Sequence, residues 1–142
     1  MNKTLLYRLF GIGGIPKKIR PLLEAEGIRI CDEGIGGWLV YKNFKAPGKR
    51  FKYRMQGFSG FLALTDIRLV SYAYGKPIIN VPISDPRIAE IYSKLTEPNR
   101  LELSFESSKF HADREGMITV RFNTPLAHQF HDRISGITKG QT

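Results

Sequence analysis

Trp38-Leu39-Val40-Tyr41-Lys42-Asn43-Phe44-Lys45 and Arg50-Phe51-Lys52-Tyr53-Arg54-Met55 flank the tetrapeptide Ala46-Pro47-Gly48-Lys49. Two runs of apolar and charged residues about a Pro-Gly turn read as an antiparallel hairpin. Alternate residues of a strand share a face. Arg50, Lys52 and Arg54 are therefore predicted to form one cationic row pointing outward. Phe51, Tyr53 and Met55 are predicted to form the inward packing row.

The same punctuation extends in both directions from this hairpin. Ile28-Arg29-Ile30 reads as a short strand and Gly34-Ile35-Gly36-Gly37 as a turn. Beyond the hairpin, Gly57 and Gly60 mark bulges or tight bends, and Phe61–Leu64, Ile67–Tyr74 and Ile78–Ile83 read as strands. The segment Asp85–Leu95 fits helix or strand. Leu101–Phe105 and Met117–Phe122 alternate as half-buried strands. Thr124-Pro125 has the form of an N-cap and a first-turn proline, and Leu126, Phe130, Ile134 and Ile137 make the apolar stripe of a closing helix.

The count is about seven antiparallel strands and a C-terminal helix, a mainly β (α+β) chain built as a sandwich or a small barrel. Before it, Leu5, Leu6, Leu9 and Phe10 fall at helical spacing until Gly11–Gly14 breaks the run. A second short helix is predicted at Pro21–Glu26, stopped by Gly27. The expected organisation is a helical preface over residues 1–26, a β domain over 27–137 and a tail over 138–142.

The net charge of +9 is unevenly placed. Gly34–Thr65 holds six of the 22 cations and none of the 13 acids. Such a window favours an anionic partner. Lys42, Lys45, Lys49, Arg50, Lys52 and Arg54 are accordingly the candidate ligand-binding residues. An open edge strand carries cations for another reason, to block pairing with a second chain. Nucleic acid ranks below an anionic membrane or an acidic protein, because the predicted alternation sets aromatics and cations on opposite faces, whereas stacking with phosphate contact needs both together.

Other chemistry finds little support in the residues. The single cysteine, Cys31, has no internal disulfide partner, which suits a reducing cytoplasm. No run of about 20 apolar residues spans a bilayer, and Arg8 interrupts the apolar N-terminus with no cleavage site after it. A cytoplasmic chain, peripheral to a membrane at most, is expected. Its N-terminal stretch, with Lys3 and Arg8, is expected to dock on the β domain; the alternative is a second interfacial signal. His128 and His131 share one side of the closing helix, with Asp132 predicted to point elsewhere. No metal set, cofactor motif or catalytic constellation is expected, and the chain reads as a non-enzyme.

Gly60-Phe61-Leu62-Ala63-Leu64-Thr65-Asp66-Ile67-Arg68-Leu69, Pro82-Ile83-Ser84-Asp85 and the strand–Thr-Pro–helix order of Ile118–Ile134 resemble the pleckstrin-homology-like superfamily, in its bacterial and GRAM-like branches. The likeness spans roughly residues 27–136. It implies a barrel of about seven strands capped by the C-terminal helix, with Phe130 where the closing helix of that family usually carries tryptophan. Lys42, the turn, and Lys52-Tyr53-Arg54 can be laid on the family's basic pattern for phosphorylated head groups. The resemblance thus implies a binding or adaptor module docking to an anionic surface. The alternative is a protein–protein scaffold that uses a sheet edge or another surface, the basic hairpin serving solubility alone.

Overall fold

A computed structural model describes residues 3–140, without the side chains of residues 5, 6, 139 and 140. Seven strands, β1 (Ile28–Ala46), β2 (Lys49–Thr65), β3 (Arg68–Ala73), β4 (Lys76–Pro82), β5 (Tyr92–Glu97), β6 (Arg100–Glu106) and β7 (Glu115–Asn123), form one antiparallel sheet in the order β4-β3-β2-β1-β7-β6-β5. Two meanders, β1–β4 and β5–β7, are joined where β1 pairs with β7. The outer strands β4 and β5 remain edges, so the sheet is not closed.

The turn predicted at Gly34–Gly37 is absent, and the bulges or bends predicted at Gly57 and Gly60 end no strand, because these glycines lie inside long strands. β1 absorbs both the 28–30 and the 38–45 strands. Gly34 is a bulge between Glu33 and Ile35, with φ +67. A Cβ on Gly37 would run into the carbonyl oxygen of Arg121 on β7. β2 likewise joins 50–55 to 61–64, and Gly60 admits the carbonyl of Tyr72 on β3. Bulges and close approaches of this kind increase strand coiling. In the segment left open between helix and strand, Asp85 caps a 3₁₀ turn at Pro86–Glu90 by accepting the Arg87 N–H at 2.9 Å, and β5 follows.

One face of the sheet carries the main core. Helix α3 (Ala127–Gly140) seals its far end, laying Phe130 and Ile134 against β5, β6 and the 3₁₀ turn. The helix runs three residues beyond Ile137, the last residue of the predicted apolar stripe. Thr124 caps its start, accepting the Leu126 N–H at 3.1 Å and donating to buried Asp32 at 2.6 Å. Asp32 also takes the Lys3 ammonium at 2.7 Å, which ties the N-terminal segment, β1 and the α3 entry together.

The opposite face of β1–β3 is covered by the N-terminal preface. Helix α1 (Leu5–Phe10), helix α2 (Arg20–Glu26) and the link between them set Ile15 and Leu23 on Phe61, Ala63 and Val70. Fully burying a side chain such as Leu23 contributes about 2 kcal/mol. Cys31 packs in this second core, where burial, reinforced by Glu33 and Asp32, pushes its thiol up to about 11. Of the proposed interfacial stretch, Leu9 and Phe10 are exposed, while the Leu5 and Leu6 side chains lie outside the described residues.

Thr65-Asp66-Ile67-Arg68, the middle of the string that carries the resemblance, is a clip. The Thr65 hydroxyl accepts the N–H groups of Ile67 and Arg68 at 3.1 and 3.0 Å and donates to Glu26 at 3.0 Å. Arg68 pairs with buried Glu26 at 2.7 Å and donates to Asn80 at 3.2 Å. These residues hold α2 to the β2–β3 turn.

Candidate functional site

The hairpin departs from simple alternation at one point. Tyr41 faces Arg54, Lys42 faces Tyr53, and Phe44 faces Phe51, but the ladder skips Asn43 and Lys52. Asn43 adopts φ +52, uncommon for a residue with a side chain. β1 also slips by one residue against β7 between Lys42 and Lys45. The inner face therefore passes from Tyr41 and Arg54 to Phe44 and Phe51. Opposed pairs share a face, so Lys42 and Tyr53, then Lys45 and Arg50, take the outer side.

This corrects the predicted rows. Phe51 packs inward as expected, but Tyr53 and Met55 are 57% and 41% exposed. Arg54, assigned to the outward row, points inward and lies over the Phe51 ring at 4.8 Å. Aromatics and cations consequently share a surface on both sides of the hairpin.

On the inner side, the end of the sheet away from α3 opens into a cleft of about 690 Å³. Its floor is a cluster of three rings. Tyr41 and Phe44 lie 5.0 Å apart by centroid, Tyr41 and Phe51 5.8 Å, and Phe44 and Phe51 stack at 6.1 Å. Lys49, Arg54, Lys76 and Arg114 line the cleft with a single acid, Asp113. Asp113 reaches Arg114 only at 4.0 Å, with both side chains largely exposed. Among the described residues, Lys49, Arg54 and Lys76 meet no carboxylate. Burial pushes the Tyr41 phenol up, and the nearby charges of Arg54 and Arg114 work against that shift.

Topology explains the convergence. In this antiparallel arrangement the β1–β2, β3–β4 and β6–β7 connections fall at the same end. They bring Lys49, Lys76 and Arg114 to one mouth. Tyr74 (φ +52) and Gly75 (φ +78) make the β3–β4 turn tight, which holds Lys76 against the mouth. Lys76, Arg114 and Tyr41 are absent from the candidates read off the sequence. The available signal was a basic residue in each of three turns, legible only once the strand order is known.

Of the six predicted site residues, the cleft gathers Lys49 and Arg54. Lys45, Arg50 and Lys52 border a separate groove beside the hairpin, where Lys45 pairs with Glu115 at 3.5 Å. Lys42 lies on the outer face opposite Tyr53. β3 pairs with β2 only over Gly60–Leu64, leaving residues 49–58 of β2 with β1 on one side alone. Cations on this stretch therefore also discourage strand addition.

The histidines separate. His128 contacts Asp132 at 3.1 Å, contrary to the expectation that Asp132 points elsewhere, because residues four apart on a helix are neighbours. His131 bonds to Ser93 at 2.7 Å instead. His111 sits beside the cleft, its pKa lowered by burial and by Arg114 and Arg87 against the opposing pull of Asp113. Among the described residues no three His, Cys, Asp or Glu side chains group as a metal site, and no helix is long and apolar enough to cross a membrane. Compared with known proteins, the chain matches no family profile and no curated sequence.

Proposed function

We propose that the chain is a non-catalytic binding module of pleckstrin-homology-like architecture whose open end takes an anionic group, foremost a phosphorylated head group on a membrane surface. The two meanders joined through β1 and β7, with a helix closing one end, support the architectural part of this reading. The observation that carries the functional part is the meeting of Lys49, Arg54, Lys76 and Arg114 over an aromatic floor. Edge protection needs charge only along the exposed strand. It gives no reason for cations from two further turns to face the same cleft.

Each base near an anionic membrane contributes about 1 kcal/mol. Four give about 4 kcal/mol, a dissociation constant near the millimolar range, so docking is weak and salt-sensitive. Co-sedimentation with phosphatidylserine vesicles, against phosphatidylcholine controls and at rising salt, tests it. Binding is expected to fall with salt and to vanish in Lys49→Glu/Arg54→Glu. Pelleting unchanged by that double reversal would sink the site. A partner pull-down that survives it, without vesicle affinity, would favour the scaffold alternative.

A further inference from the structure

The outer side of the hairpin holds a second surface, independent of the cleft. Its rows follow from register: Gly57, Trp38 and Arg121 lie abreast, then Met55, Val40 and Thr119, then Tyr53, Lys42 and Met117. Trp38 is 44% exposed, and Tyr53, Met55 and Met117 are exposed beside it. Val40, at the centre, is only 1% exposed although it belongs to neither apolar core. The side chains around it therefore lie over it rather than project into solvent.

Trp38 shows this directly. A Cβ on Gly57 would stand 3.6 Å from Trp38 Cζ3, so the indole rests across the glycine and leaves its other face open. A half-exposed ring beside unpaired cations has the composition of a base-stacking platform with phosphate contacts. Tyr53 sits opposite Lys42, four residues along β1 from Trp38, about 14 Å at the ordinary strand rise. The two rings can therefore take separate bases. Lys42, opposite Tyr53, and Arg50, on the same outer side, meet no carboxylate among the described residues, which leaves them free for phosphates.

We infer that the outer face of β2, β1 and β7 is a stacking platform for single-stranded nucleic acid, with Trp38 and Tyr53 taking unpaired bases and Lys42 and Arg50 the adjoining phosphates. The inversion at Asn43 and Lys52 is what turns Arg50 to the side that Lys42 and the rings share.

Trp38 is the only tryptophan, so its emission reports on the face directly. The full chain is titrated with a fluorescein-labelled 12-mer of oligouridylate, read by anisotropy, and with the unlabelled 12-mer, read by Trp38 emission. The expected result is saturable binding with quenching. Tyr53→Ala, read by anisotropy, weakens it about tenfold, within the range for loss of one stacked base. Two phosphate contacts give a log–log salt slope of about −1.4. Lys49→Glu/Arg54→Glu, on the other face, leaves the quenching amplitude intact. Circular dichroism of Tyr53→Ala checks that the fold persists. Absence of binding, equal affinity for a duplex of the same length, or no loss in folded Tyr53→Ala would each overturn the platform. A blue shift of Trp38 on phosphatidylserine vesicles, without quenching by the oligonucleotide, would reassign the face to a membrane.

Discussion

The cations at the two ends of the sheet are used differently. Toward α2, the α3 entry and the N-terminal segment, each basic group named has an acid: Lys3 with Asp32, Arg20 with Glu33, Arg68 with Glu26, Arg29 with Asp66. The first three fasten the preface to the sheet and Arg29–Asp66 ties β1 to the β2–β3 turn; two of the acids, Asp32 and Glu26, are buried. At the hairpin end, Lys42, Lys49, Arg50, Lys52 and Arg54 have no carboxylate among the described residues, and Arg54 lies over the Phe51 ring. The same residue types hold the fold at one end and remain available at the other. Net charge alone does not distinguish them.

The closed end should dominate stability. Phe130→Ala is expected to cost about 3–5 kcal/mol in urea unfolding, because the ring is fully buried beneath α3 and its loss leaves a cavity. Glu26→Ala comes next, at about 2–3 kcal/mol, since it strands Arg68 and the Thr65 hydroxyl. Gly60→Ala should cost about 1–3 kcal/mol as the added methyl forces β3 away from β2. A change below about 0.5 kcal/mol there would mean the strands are less tightly apposed than described. Lys49→Glu/Arg54→Glu should shift stability by less than about 0.5 kcal/mol while removing vesicle binding. A large stability loss from that pair would erase the contrast between the ends.

The sequence made much of this legible. The antiparallel β character, the closing helix and its Thr124 cap follow from alternation and turn residues, because those signals are local. The glycines at 34–37 and 57–60 misled, since a glycine needed for close approach looks the same as one needed for a turn. Two long strands were thus read as four short ones. The candidate site was half legible. Lys49 and Arg54 lie in the basic run, but their partners Lys76 and Arg114 arrive from turns far along the chain. The facing of the hairpin was misread because the ladder is interrupted opposite itself at Asn43 and Lys52, so Phe51 and the residues from Tyr53 onward do not share one alternation. No local composition announces such an inversion.

The central claim is that an anion binds inside the open end. Amide chemical-shift mapping of the ¹⁵N-labelled chain during titration with soluble inositol trisphosphate tests it most directly. Saturable shifts centred on Lys49, Arg54, Lys76 and Arg114 are expected, lost in Lys49→Glu/Arg54→Glu. Shifts confined to Lys42, Tyr53 and Lys45 on the outer side, or none at millimolar ligand, would contradict it.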